Sequence, residues 1–306
     1  MSIVIIAPTR DGSHWIEQLT NLDASLTIEV YPEVSDATKV ECAVVWLYPH
    51  GILQQFPNLK LICSMGAGVD HILKDPDLPD VPVTRVVSER LAFSMNTYVA
   101  MAVLNLHRKY DKYQADQKAR IWDQQTFPEI DVSVGVFGFG YLGRQIGETL
   151  KHIGLKVHGY SQSRKEVDGI ETYGKEDLDQ FLEKINVLVG VLPMTDNTRG
   201  IFNMKLFEKL KNPTYFINVG RGNQQVEKDI LKALDRGLLS GAMLDVFEKE
   251  PLPEDSPLWH HPKIKLTPHI AGITNPEAAV PQIFKNYNAM KNKEPLLNEV
   301  DKKKGY

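Results

Sequence analysis

Short, β-branched apolar runs alternate with longer polar stretches along the whole chain. In the first hundred residues IVIIA (3–7), TIEVY (27–31), AVVWL (43–47) and KLICS (60–64) predict strands, with helix-compatible segments between them. Residues 96–119 contain no Gly or Pro and predict one long helix. A second series follows: VSVGVFG (132–138), KVHGY (156–160), NVLVGVL (186–192), TYFINVG (214–220), SGAMLDV (240–246) and IKLTPH (264–269). Strands that are apolar at nearly every position are buried on both faces, the pattern of parallel sheets covered by helices. Two such series predict two α/β domains with the long helix as a bridge. A last helix, residues 276–292, is open to packing on either domain.

Composition adds bounds. The chain has 306 residues, 42% hydrophobic and 24% charged, with a formal net charge of -4. That is enough for two globular domains. Basic residues are neither in excess nor gathered in a stripe, so nucleic acid is not an expected partner; the basic run at 301–305 reads as a solvated tail. Cys42 and Cys63 have no CxxC spacing, which argues against a disulfide framework or thiolate metal site and fits a reducing cytoplasm. The start MSIVIIAPTR lacks a basic region before its short apolar run and reads as a first strand, not a signal peptide. No apolar stretch approaches the roughly 20 residues that cross a bilayer. The expectation is a soluble, cytoplasmic protein with no membrane partner.

One strand is followed by Gly138-Phe139-Gly140-Tyr141-Leu142-Gly143 and then by a helical pattern. The first glycine permits a tight turn and the second lets backbone approach a pyrophosphate. The third lets the helix pack on its strand, and the helix N-terminus offers N–H groups to the anion. The next strand begins about 20 residues on, as a dinucleotide fingerprint requires.

Three later strand ends carry reactive groups, at the edge where open α/β sheets bind ligands. NVGRG places Arg221 between Gly220 and Gly222; LDVFEKEP supplies Asp245, Glu248 and Glu250; TPHIAG delivers His269. Singly, each reads as a surface ion pair, a solvated carboxylate or a satisfied core histidine. After a dinucleotide fingerprint, the set reads as catalytic. His260 and His261 are adjacent in a loop and belong to no metal-ligand pattern, so no metal is expected.

In this order the motifs NVGRG, LDVFEKEP and TPHIAG, with MGAGVDHI at 65–72, resemble those of the D-isomer-specific 2-hydroxyacid dehydrogenase family over the whole chain. GAMLDVF, EPLPEDSPLW and the basic ending plus Gly-Tyr are most similar to its glyoxylate/hydroxypyruvate reductase A branch. The resemblance implies two Rossmann-like or flavodoxin-like doubly wound domains with an active-site cleft between them. The substrate domain would be residues 1–98 completed by 275–306, and the dinucleotide domain 99–274, in a homodimer held through the nucleotide domains. It implies reduction of a small 2-keto acid, with His269 as proton donor. A hydride comes from nicotinamide, since no side chain can supply one. Glu250, rather than Glu248, would favour the charged imidazole, and Arg221 would grip the substrate carboxylate through its fixed fork of donors. Ala67, Gly68 and Val69 would offer amides to the same carboxylate. Trp46 and Trp259 would wall the substrate pocket, and Met95 would face the nicotinamide. Leu192, Pro193, Val219, Gly220 and Asp245 would line the cofactor. Thr97-Tyr98 departs from the Glu-Tyr of many relatives, which leaves the choice of keto acid open.

Cofactor choice is written after the second dinucleotide strand. An NAD site normally ends this strand with Asp or Glu on the ribose hydroxyls. Here Ser161, Gln162, Ser163, Arg164 and Lys165 follow Tyr160, with no acid. Charge-assisted bonds to a 2′-phosphate favour NADP, with NAD still accepted. Two other readings keep these residues: a dehydrogenase for a different 2-keto acid, and a nucleotide-sensing regulatory protein that binds the cofactor but turns over poorly.

Overall fold

The computed structural model describes residues 2–305. The chain forms two compact units, Met1–Leu91 with Ile273–Tyr306, and Ala92–Gly272. The first changeover therefore falls at 91/92 and not at 98/99, inside a helix that starts earlier than its apolar pattern suggested. The Ser88 hydroxyl accepts from the amides of Arg90 (3.1 Å) and Leu91 (3.4 Å), which caps that helix.

The first unit contains β1 (Ser2–Ile6), α1 (Ser13–Leu22), β2 (Thr27–Val30), β3 (Val40–Val45), β4 (Leu61–Ser64), α2 (Asp70–Leu73) and β5 (Val83–Thr84). Its parallel sheet has the order β2-β1-β3-β4-β5. Every residue of β1, β3 and β4 is buried, as their largely apolar runs require. The last helix of the chain completes this unit. Its Ala279, Val280, Ile283 and Tyr287 share a core with Trp15 and Leu19 of α1. Sequence fixes where it starts: the Asn275 side chain accepts from the Glu277 amide at 2.7 Å, and Pro276 occupies the first turn, where its missing N–H costs nothing.

The second unit begins within α3 (Glu89–His107), followed by α4 (Tyr110–Ala119), β6 (Ser133–Phe137), α5 (Tyr141–His152), β7 (Lys156–Tyr160) and β8 (Glu171–Tyr173). Then come α6 (Leu178–Glu183), β9 (Val187–Gly190), α7 (Met204–Phe207), β10 (Thr214–Asn218), α8 (Glu227–Asp235), β11 (Leu239–Leu244) and β12 (Ile264–Leu266); α9 (Pro276–Asn292) is the helix of the first unit. The seven-stranded parallel sheet runs β12-β11-β10-β9-β6-β7-β8. After β6 the chain winds outward through β7 and β8, then returns to the other side of β6 with β9. The carboxyl ends of β6 and β9 therefore flank a topological switch point, where doubly wound sheets bind ligands.

The expected single helix over 96–119 is broken. Lys109 has φ 51, in the left-handed region, and separates α3 from α4. Tertiary bonds outweigh local propensity here. A returning segment pairs with the break: the Ile130 amide donates to the His107 carbonyl (2.9 Å), His107 Nδ1 bonds the Ile130 carbonyl (2.7 Å), and Lys109 Nζ donates to the Phe127 carbonyl (2.5 Å). No described helix is long and apolar enough to cross a membrane.

Candidate active site

The glycine turn sits at the carboxyl end of β6. Gly138 has φ 114, and a methyl there would come 2.7 Å from the Val191 carbonyl, so only glycine fits. A methyl on Gly143 would lie 2.1 Å from the Gly138 oxygen, which forces α5 against its strand. Above Gly140 nothing approaches within 4 Å. The amides of Tyr141, Leu142 and Gly143 donate to no group among the described residues, as expected for the first turn of a helix. Open space over Gly140 beside three unused amides is the cradle a pyrophosphate needs.

The neighbouring strand ends close around this turn. Gln224 Nε2 donates to the carbonyls of Leu192 (2.8 Å) and Pro193 (3.0 Å), fixing the segment after β9. Val219 is buried behind it, and its amide donates to the Gly190 carbonyl at 3.0 Å. After β7, Ser161 Oγ donates to the Ser163 carbonyl (2.9 Å), and the side chains of Gln162, Ser163 and Arg164 make no hydrogen bond among the described residues. Lys165 differs from expectation: its Nζ already donates to the carbonyl of Phe139, at 2.8 Å.

His269 and Glu250 meet. Nδ1 of the imidazole lies 2.7 Å from Glu250 Oε2, and the Phe247 amide donates to Oε1 at 3.0 Å. An ionised carboxylate only accepts, so Nδ1 carries the hydrogen and Nε2 is the reactive nitrogen. Nε2 makes no hydrogen bond among the described residues. Burial pushes the Glu250 carboxyl up, but the bond and charge of His269, the Phe247 amide and the Arg221 charge more than offset it. The net result lies below the ordinary range. Each group of the pair keeps about a third of its side chain exposed, 35% for His269 and 36% for Glu250.

His269 itself stands at φ 55, a backbone position that costs a non-glycine residue about 1–2 kcal/mol. Asp245 holds it there. Its buried carboxylate accepts from Thr267 Oγ1 (2.6 Å) and from the amides of Ile270 (2.9 Å) and Ala271 (2.8 Å), while its carbonyl accepts from the His269 amide (2.8 Å). The Tyr98 hydroxyl, from α3, bonds Thr267 Oγ1 in turn. Asp245, expected at the cofactor, thus also organises the histidine loop. Met95 is buried in the apolar core of this unit.

Arg221 lies at the end of β10. Its amide donates to Gln224 Oε1 (3.0 Å), and Nη1 donates to the Gly220 carbonyl (3.0 Å). The arginine and glutamate loops are stitched together. Gln225 Nε2 donates to the Val246 carbonyl (2.9 Å), and Asn218 Nδ2 holds Gln225 Oε1 (2.8 Å). Glu227 and Glu248 each accept the other's amide, at 2.8 and 2.9 Å. A methyl on Gly222 would collide with the Phe247 carbonyl at 1.8 Å, so the two backbones touch. Trp259 is half-exposed, and its indole N–H donates to the Pro253 carbonyl (2.9 Å). No group of three or more His, Cys, Asp or Glu among the described residues is placed to hold a metal ion.

The first unit carries its own feature at the carboxyl ends of β3 and β4. The amides of Ala67, Gly68 and Val69 donate to no group among the described residues, while Ser64 Oγ braces the turn by donating to the Gly68 carbonyl (3.0 Å). Three consecutive unused amides leave donors available to an anion. Trp46 packs beside it: a methyl on Gly66 would come 2.7 Å from the indole, and the Arg10 guanidinium lies 4.1 Å from the ring centre.

The chain is similar to known proteins in sequence and fold. The family model for the D-isomer specific 2-hydroxyacid dehydrogenase, NAD binding domain, matches residues 100–271. Glyoxylate/hydroxypyruvate reductase A of Escherichia fergusonii is 38% identical over 314 residues, covering all of both chains. The crystal structure of NADPH-dependent glyoxylate/hydroxypyruvate reductase from Sinorhizobium meliloti, in complex with NADP and sulfate, has a TM-score of 0.94 at 38% identity and covers 100% of each chain. A D-isomer specific 2-hydroxyacid dehydrogenase from Xanthobacter autotrophicus Py2, in complex with NADPH and MES, has a TM-score of 0.94 at 36% identity, covering 100% of this chain and 99% of that one. With a family model across most of the second unit and full-length relatives above 30% identity, the chain belongs to the D-isomer-specific 2-hydroxyacid dehydrogenase family.

Proposed function

We propose that this protein reduces a small 2-keto acid, glyoxylate or hydroxypyruvate, to the D-2-hydroxy acid, with NADPH as preferred reductant and NADH accepted. The observation that carries the chemistry is the His269–Glu250 pair at 2.7 Å, which leaves Nε2 pointing at no protein partner. The nicotinamide, when bound, supplies the hydride to the carbonyl carbon. His269 gives its Nε2 proton to the oxygen as negative charge develops there, and Glu250 balances the charge of the imidazolium before the transfer. Arg221 pairs with the substrate carboxylate and polarises the carbonyl, a task suited to a planar fork of donors. The first unit has carboxylate-binding donors of its own, the unused amides of Ala67, Gly68 and Val69, with Trp46 packed beside them. The Tyr141–Gly143 amides would hold the cofactor's pyrophosphate, and Leu192, Pro193, Val219 and Gly220 would line its nicotinamide half.

The choice of substrate follows the full-length relatives named as glyoxylate/hydroxypyruvate reductases. The choice of NADPH follows the lack of an acid after β7, together with relatives crystallised with NADPH or NADP. The test is a steady-state panel of glyoxylate, hydroxypyruvate, pyruvate and phenylpyruvate with each reduced cofactor. Highest kcat/KM on the two small acids with NADPH is expected. Tight NADPH binding without turnover of any of them would replace this reading with that of a nucleotide sensor.

The same reading makes the protein a cytoplasmic homodimer. Helix α4 buries no residue, and Trp122 (88% exposed) and Phe127 (79%) follow it. Large exposed apolar side chains this close in sequence suit a surface that a second copy would cover. Both cysteines are free and buried, which suits a reducing compartment.

A further inference from the structure

The basic stretch after β7 carries two adjacent cations, and the structure gives them different work. The loop is anchored on β8: the Ser161 amide donates to the Tyr173 carbonyl at 3.1 Å, and the buried Thr172 hydroxyl donates to the Lys165 carbonyl. With its backbone held there, Lys165 sends Nζ across to the Phe139 carbonyl, 2.8 Å away. Phe139 is the residue between the first two glycines of the turn, and its own amide donates to the Tyr160 carbonyl at 2.9 Å. The residue at the heart of the pyrophosphate turn is therefore gripped on both sides, by β7 through its N–H and by Lys165 through its oxygen. Arg164 makes no hydrogen bond or ion pair among the described residues.

We propose that Lys165 is a positioning residue, a strap that ties the loop facing the cofactor's 2′-phosphate to the glycine turn facing its pyrophosphate, while contact with the 2′-phosphate itself stays, as in the NADPH reading, with Arg164. This rests on the NADPH reading above. A carbonyl oxygen turned toward a phosphate repels it; an ammonium on that oxygen holds it aside and brings positive charge close behind the turn. The pyrophosphate is common to NADPH and NADH, so the strap serves both cofactors equally. The 2′-phosphate belongs to NADPH alone, so Arg164 serves only that one.

Fluorescence titration of the full-length protein with NADPH and with NADH separates the two roles. Lys165→Met should raise both dissociation constants by a similar factor, roughly ten-fold, the scale of a lost charge-assisted bond. Lys165→Arg, which can still donate to the Phe139 carbonyl, should recover most of that loss for both. Arg164→Ala should weaken NADPH by roughly ten-fold or more and leave NADH within about two-fold. A selective loss of NADPH in Lys165→Met would overturn the strap and make Lys165 a phosphate ligand. Unchanged affinity for both cofactors in that variant would also overturn it. Equal wild-type affinities for NADPH and NADH would remove the NADPH reading instead, while the equal-factor comparison in Lys165→Met would still decide the strap.

Discussion

Replacing Asp245 by Asn tests how the histidine is held. The carboxylate is 1% exposed and accepts three hydrogen bonds, from Thr267 Oγ1 and from the Ile270 and Ala271 amides. An asparagine keeps the shape but has one acceptor oxygen. If its nitrogen takes the position near Thr267, it meets the Ile270 N–H; if it turns, it meets the Ala271 N–H. Either way one buried amide loses its acceptor, which costs roughly 1–3 kcal/mol. The remaining bonds also lose their charge assistance. For a protein of this size the melting temperature should fall by about 2–12 °C, taking roughly 2–4 °C per kcal/mol. The same bonds hold His269 at φ 55, worth about 1–2 kcal/mol of backbone strain. Once they weaken, the loop relaxes and the imidazole leaves its orientation, so kcat for glyoxylate should drop by roughly ten-fold or more. Thermal melts with and without NADPH, alongside steady-state kinetics, provide the assay. A variant that melts within about 1 °C of wild type and keeps its kcat would refute the argument. Weakened NADPH binding with full stability would instead place Asp245 at the cofactor alone.

Three further outcomes follow from named contacts. Glu250→Gln removes the anion that faces His269 Nδ1 at 2.7 Å, so in reduction the loss of activity on the alkaline side should move to lower pH; a pH–rate profile of kcat/KM reads it, and an unmoved limb would discount the pair. His158 on β7 is buried, its ring nitrogens make no hydrogen bond among the described residues, and burial pushes its pKa below the ordinary histidine value despite Glu171 nearby. The unfolded chain takes up that proton near pH 6.5 while the folded one resists, so this contribution to stability is full above about pH 6.5 and is lost as pH falls below it. Urea midpoints between about pH 7.5 and 5 should show less loss in His158→Leu than in wild type. If the proposed homodimer forms through this surface, Phe127→Glu with Trp122→Ala should turn it into a monomer in sedimentation velocity; a wild-type monomer would contradict that proposal.

Much of this architecture is legible in the pattern of apolar positions, because strands buried on both faces need unbroken apolar runs. KVHGY at 156–160 coincides with β7, and the last helix spans 276–292 as its caps indicate. The strands β5 and β8 escape such a reading, since two and three residues at a sheet edge are too short to show a period. The break between α3 and α4 escapes it too, because bonds from residues 127–130 make it and no Gly or Pro marks it. At the site, Arg221, Glu250 and His269 are visible as residue types at strand ends. The groups that position them are not: Tyr98 and Thr267 are 169 residues apart in sequence, and only the register of the sheet brings Gln225 to Val246. Lys165 shows the same limit. Sequence marks it as a cation beside a cofactor strand, and only the fold reveals that it bonds Phe139.

The central claim is that His269 delivers the proton that accompanies hydride transfer. A stopped-flow single turnover measures this most directly: enzyme preloaded with NADPH is mixed with saturating glyoxylate, in wild type and His269→Ala, with NADPH affinity checked by fluorescence. Nε2 is the nitrogen left without a protein partner, so the account predicts unchanged NADPH binding and oxidation slowed by roughly a hundred-fold or more, the usual scale for general acid–base catalysis. Oxidation at the wild-type rate in His269→Ala, or wild-type enzyme that oxidises NADPH no faster with glyoxylate than without it, would contradict it.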